Sequence, residues 1–106
     1  MLEWDLDRDE EPVVEFTLRG GLSDDPGTRA LTTELEGHWL RDGIQEARLD
    51  LSAVTRLTLE GVATLLEFHR VAERNGKRLT IVNAGPPVQS KLRMTGVEHI
   101  LLPDAD

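Results

Sequence analysis

Residues 47–82 read Ala-Arg-Leu-Asp-Leu-Ser-Ala-Val-Thr-Arg-Leu-Thr-Leu-Glu-Gly-Val-Ala-Thr-Leu-Leu-Glu-Phe-His-Arg-Val-Ala-Glu-Arg-Asn-Gly-Lys-Arg-Leu-Thr-Ile-Val, and the pattern of apolar residues changes twice along them. Ala47 to Leu51 is a short strand, with Ser52-Ala53-Val54-Thr55 following it as a connection. A helix is expected from about Glu60 to Arg74, its apolar stripe carried by Val62, Leu65, Leu66, His69 and Ala72. Asn75-Gly76 supplies a left-handed stop, and Leu79 to Val82 lies in the next strand. A strand, a helix and a second strand joined by a right-handed crossover lie parallel in one sheet.

The same reading extends outward in both directions. Val13 to Leu18 is a strand by its β-branched and aromatic content, broken by Gly20-Gly21, and it pairs with Glu3 to Leu6 through a turn around Asp9 to Pro12. From Pro26 the spacing of Leu31, Leu35 and Trp39 is helical, with Asp42-Gly43 as the terminator. Downstream, Pro86-Pro87 opens a helix that turns Val88 and Leu92 inward and ends at Thr95-Gly96, and Ile100 to Leu102 packs as a short terminal segment. The expected fold class is therefore α/β, residues 1–106 forming one domain. It has a small, mixed, mostly parallel sheet, an antiparallel strand at its N-terminal side, and three to four packing helices.

Composition narrows the function classes. The 106 residues contain no cysteine, so no disulfide or thiolate metal site supports the fold. A net charge of −8 opposes nucleic acid and anionic lipid as partners. The basic group Arg70, Arg74, Lys77 and Arg78 sits where a helix ends, a position that the helix macrodipole favours for cations. An acidic N-terminus and the lack of a long apolar run point to a cytoplasmic protein with no membrane insertion.

Few residues suggest chemistry. Asp5, Asp7 and Asp9 alternate like calcium ligands, but Glu10 stands where the glycine belongs and Phe16 where the bidentate glutamate belongs. His38, His69 and His99 fall in separate elements without ligand spacing, and His69 is expected as a hydrogen-bonded core residue. No phosphate loop, dinucleotide fingerprint or nucleophile beside a base is present, so neither a cofactor nor an enzymatic activity is expected.

Taken in order, Leu49-Asp50-Leu51-Ser52-Ala53-Val54-Thr55, Gly61-Val62, Leu65-Leu66, Asn75-Gly76 ahead of a strand, Val88, Leu92 and Thr95-Gly96 resemble a STAS domain over roughly Val13 to Leu102. That family includes bacterial anti-sigma factor antagonists, domains of stress-signalling assemblies and sulfate transporters, and a lipid-transport accessory protein. In phospho-switched members, the loop entering the second helix reads aspartate, serine, serine or threonine, then glycine, and a kinase-like anti-sigma factor phosphorylates the first serine. Laid onto this chain, the positions are Thr58, Leu59, Glu60 and Gly61, and only the glycine is retained. The family's turn after the second strand is also altered, reading Gly20-Gly21-Leu22-Ser23.

The resemblance implies a non-catalytic interaction domain whose partner meets the loop from Ser52 to Thr58 and the exposed side of the following helix. Ser23, Thr55, Thr58, Leu59, Glu60 and Val62 are the expected contact residues. Without a hydroxyl, Leu59 accepts no phosphate; it is either tucked beneath the helix or offered to a partner. Thr58 suits a helix cap and Glu60 a first turn, where it either serves the helix alone or imitates a phosphorylated state. The expected partner is an anti-sigma factor of the kinase-like kind or, alternatively, an ABC-type ATPase of a lipid-transport system. A small-ligand sensor is a third reading, and a homodimer remains open.

Overall fold

The computed structural model describes residues 1–103; the last residues of the expected domain, 104–106, lie outside the described part. Four strands and four helices follow in the order β1 (Glu3–Glu10), β2 (Val13–Leu22), α1 (Pro26–Trp39), β3 (Glu46–Leu57), α2 (Leu59–Arg74), β4 (Arg78–Val82), α3 (Pro86–Met94) and α4 (Glu98–Leu101). The sheet order is β1-β2-β3-β4, with β1 antiparallel to β2 and the remaining pairs parallel. This is the mixed, mostly parallel architecture that the alternation of elements implied.

Because both crossovers step in the same direction across the sheet, right-handed connections put α1 and α2 on one face. Side-chain alternation agrees: Val14, Phe16 and Leu18 of β2 and Ala47, Leu49 and Leu51 of β3 are buried, while the residues between them are partly exposed. Leu31, Leu35 and Trp39 of α1 and Leu65, Phe68 and Ala72 of α2 complete the core from above. The ring of Phe16 lies at its centre, edge-on to Trp4 at 5.7 Å and to His38 at 5.8 Å between centroids.

On the opposite face the described residues place charged side chains. Arg8 of β1, Glu15 of β2, Arg48 and Glu46 of β3 and Arg78 of β4 form a chain of ion pairs across all the strands. Its successive contacts are 3.8, 3.1, 3.1 and 3.1 Å. Asp5 pairs with Arg19 and Asp7 accepts from the Thr17 hydroxyl on the same sheet, and Asp9 is held by Arg41 at 2.7 Å. The acidic alternation of β1 is thus committed to neighbouring side chains.

Several sequence expectations are corrected. β2 does not break at Gly20-Gly21; it runs to Leu22, because Gly20 adopts a φ of +87° and the register shifts there instead of ending. β3 does not stop at Leu51 either, and the expected connection Ser52 to Thr55 is strand, paired with the extended end of β2. Past Asp50, the side of β3 that faced β4 is taken by α3. α1 closes at Trp39, three residues before Asp42-Gly43. His69 is half-exposed and pairs with Glu73 at 3.2 Å, and its expected core position belongs to Phe68.

Individual polar contacts hold the connections. Burial alone would raise the Asp50 carboxyl. The Ser52 N–H at 2.8 Å and the Asn83 amide at 2.9 Å nevertheless hold it below the ordinary aspartate range, tying β3 to the turn before α3. Lys77 bonds the carbonyls of Arg41 and Ile44, joining the start of β4 to the connection between α1 and β3. Arg70 and Arg74 reach back to Glu67, so these two arginines of the basic group are spent on internal contacts.

Glu46 offers a quantitative check. Burial opposes its ionisation, but bonds from Thr80, Arg78 and Arg48 keep its pKa below the ordinary value. A depressed carboxyl contributes stability that is complete above its unfolded pKa, about 4.3, and is lost as pH falls through the folded value. Glu46→Gln should therefore cost about 1–2 kcal/mol in urea unfolding at neutral pH. The difference from wild type should vanish in acid; an equal deficit at both extremes would contradict this account.

Candidate functional site

The site is the entrance to α2, at the end of the sheet where β2 and β3 finish. Here the backbone of Thr58 is extended, with φ −88° and ψ 171°, and its N–H donates to the carbonyl of Leu22 at 3.2 Å. Its hydroxyl accepts from the Gly61 N–H at 3.1 Å and donates to the same Leu22 carbonyl at 3.4 Å. Thr58 is therefore the cap of α2, with both capacities of its hydroxyl in use.

Gly61 has a separate and steric reason to be glycine. A β-carbon there would stand 2.1 Å from the Leu22 carbonyl oxygen and 2.8 Å from the Leu57 side chain, so the first turn of α2 rests directly on backbone. The same device appears at α1, where a β-carbon on Gly27 would meet the Leu2 carbonyl at 2.0 Å. With residues 58 and 61 both pressed against β2, residue 59 is turned outward. Leu59 is 64% exposed, which settles its orientation: it is not tucked beneath the helix.

Glu60 is exposed beside it in the first turn, where a negative charge suits the helix dipole. Ser23 is half-buried immediately after the Leu22 carbonyl, and Thr55 is exposed on β3 with its hydroxyl toward the Gly20 carbonyl at 3.4 Å. The structure thus brings Ser23, Thr55, Thr58, Leu59 and Glu60 to one end of the sheet. Val62 does not join them. It is 5% exposed and part of the core, so its expected contact with a partner is corrected: the helix turns position 62 under, toward the sheet. The expected contact loop from Ser52 is likewise strand, leaving Thr58 alone between β3 and α2. Ala63, one turn beyond Leu59, is the exposed apolar neighbour that was missed, although the spacing of four was present in the sequence.

Among the described residues no cluster of three or more His, Asp or Glu is placed to hold a metal ion. A cleft of about 860 Å³ lies along β4, away from the α2 entrance. No helix among the described residues is long and apolar enough to cross a membrane.

A four-stranded mixed sheet, antiparallel at β1-β2 and parallel beyond, with helices between its parallel strands, is the STAS type of α/β fold. The solved structures most similar to it include the anti-sigma factor antagonist SpoIIAA in its unphosphorylated form. That match has 17% identity over 90% of this chain and 82% of that one, with a TM-score of 0.76. An anti-sigma factor antagonist from Mycobacterium paratuberculosis matches with 20% identity, 95% and 83% coverage and a TM-score of 0.74. Murine Slc26a9, an anion transporter, matches with 18% identity over 92% of this chain and 16% of the transporter, at a TM-score of 0.72. The chain belongs to the STAS domain family: the family model described as "Mlab, STAS domain" matches residues 6–103. Among curated protein sequences, none matches significantly.

Two substitutions test how the entrance is built. Gly61→Ala forces α2 away from β2 and should cost about 1–3 kcal/mol in thermal or urea unfolding. Thr58→Ala removes the cap and should cost about 1 kcal/mol. Wild-type stability in Gly61→Ala would show that the close approach to Leu22 is not a constraint.

Proposed function

We propose that this chain is a non-catalytic protein-interaction domain that docks a partner protein through the α2 entrance, with Leu59 as its central contact and no phosphate switch at that position. The observation that carries this reading is a leucine left 64% exposed on a turn whose two flanking residues are locked to β2. A large apolar side chain carried on a fixed main chain requires no backbone ordering when it is covered, which suits an interface anchor. Ser23, Thr55, Glu60 and Ala63 form the surrounding rim.

Loss of the hydroxyl has a direct electrostatic consequence. A phosphoserine at a helix start carries about 1.5 to 2 negative charges and would repel an acidic or apolar partner surface. Leu59 cannot acquire that charge, and Glu60 holds a single fixed one. The interaction is therefore constitutive with respect to position 59. The likeness to anti-sigma factor antagonists supports an anti-sigma factor as the partner. A second reading, which rests on the resemblance to a family that includes a lipid-transport accessory protein, is an accessory chain on an ABC-type ATPase. A cytoplasmic location fits both.

Leu59→Lys should leave stability within about 0.5 kcal/mol of wild type. It should weaken the partner complex by about 10- to 30-fold, measured by calorimetry with the anti-sigma factor or ATPase encoded beside this gene. Val62→Glu is not an equivalent probe, because burying a carboxylate in the core unfolds the domain. Incubation with ATP and a cognate kinase-like anti-sigma factor should leave the intact mass unchanged. Unaltered affinity in Leu59→Lys would remove the α2 entrance as the docking surface.

A further inference from the structure

The two edges of the sheet are built in opposite ways. β1 is the edge strand on one side, and five of its eight residues, Glu3, Asp5, Asp7, Asp9 and Glu10, are carboxylates. It also carries a register shift between Leu6 and Arg8. Acidic side chains and an irregular register both discourage another strand from adding. β4, the edge on the other side, reads Arg-Leu-Thr-Ile-Val, with one charge and three β-branched residues.

The main chain of β4 is half-used. The Arg78 N–H donates to the Gln45 carbonyl at 2.9 Å, which points residue 78 toward β3. Alternation along a strand then points Thr80 and Val82 the same way and turns the N–H and C=O groups of Leu79 and Ile81 outward. Among the described residues, no loop, cap or side chain bonds those outward groups. Their side chains stand opposite Ala47 and Leu49, partly buried, and line the cleft of about 860 Å³ together with the 37%-exposed Ile100.

The charges around this cleft are Arg48, Lys77 and Arg78 against Glu46 and Glu73, a local cationic excess on a chain of net −8. Arg78, at the start of the strand, keeps its side chain 74% exposed even while paired with Glu46. We infer that β4 is a second docking edge that accepts an extended, acidic peptide segment of a partner protein as an added strand. The outward amides and carbonyls of Leu79 and Ile81 form the ladder, the Leu79–Ile81–Ile100 groove takes an apolar side chain, and Arg78 faces a carboxylate. A second copy of this chain is the weaker occupant, since pairing two β4 edges sets their cationic groups against each other between chains that each carry a net charge of −8. This inference is independent of the α2 entrance.

The probe is the peptide acetyl-Glu-Val-Thr-Ile-Glu-amide, titrated into the ¹⁵N-labelled full chain and followed by NMR. Expected are shifts centred on the amides of Leu79 and Ile81 and a dissociation constant between about 10 µM and 1 mM. Hydrogen exchange at these two amides should slow by about tenfold or more at saturation. The same peptide N-methylated at alternate residues should not bind, because it lacks the donors of the ladder. Arg78→Ala should weaken binding by about two- to fivefold without changing the far-ultraviolet circular dichroism. Shifts confined to other residues, or none at millimolar peptide, would overturn the inference. So would amides at 79 and 81 already protected in the dilute monomer, or equal binding by the methylated peptide. Protection that instead grows with protein concentration, alongside dimers in sedimentation, would assign the edge to a second copy and overturn the peptide assignment.

Discussion

The carbonyl of Leu22 is the point to which the functional end of this domain is referred. It accepts from both the N–H and the hydroxyl of Thr58, and it lies where a β-carbon on residue 61 would otherwise be. Three consequences come from that one oxygen. The end of β2 is joined to the end of β3, α2 starts at a fixed place and angle, and the residue between the two anchors must project. A helix started by a cap alone can fray within its first turn; one that is also seated on a neighbouring strand's backbone cannot shift without losing both contacts. The exposed side chain at position 59 is thus presented by rigid structure rather than by a mobile loop.

The sheet's two faces divide the work of the remaining surface. One is buried beneath the helices around Phe16 and Leu49. The other satisfies itself through the Arg8–Glu15–Arg48–Glu46–Arg78 chain of charges, which leaves it wet and unattractive to an apolar partner. Each exposed pair in that chain adds little stability alone. Glu46 is different because it is buried, and its two arginines both satisfy it and hold β3 to β4. With both faces committed, the proposed docking surfaces are left at the ends and edges of the sheet, where Leu59 and the outward side of β4 lie.

Much of the fold was legible because local rules and tertiary packing agree. The stripes at Leu31, Leu35, Trp39 and at Val62, Leu65, Ala72 follow helical spacing, and Asn75-Gly76 stops α2 with Gly76 at a φ of +69°. Agreement failed where two elements share a boundary. Gly20-Gly21 and Ser52-Ala53 have the composition of turns, yet β2 and β3 pair with each other there, and a bulged ladder outweighs local preference. His69 and Phe68 both lie near the inner side of α2, and the path of that helix across β4 chose Phe68 for the core.

The order of strands and helices, the acidic charge, the absence of a phosphorylatable hydroxyl at position 59 and the retained glycine at 61 are all properties of the sequence by itself. They depend on residue identity and on spacing within one element, which a linear chain displays in full. Whether Leu59 is covered or offered, whether Val62 faces a partner or the core, and which strand is left with unpaired main chain were decided only by the tertiary structure. Each of these depends on residues distant along the chain, Leu22 against Gly61 and β4 against β3. Sequence spacing cannot report a contact whose two halves belong to different elements.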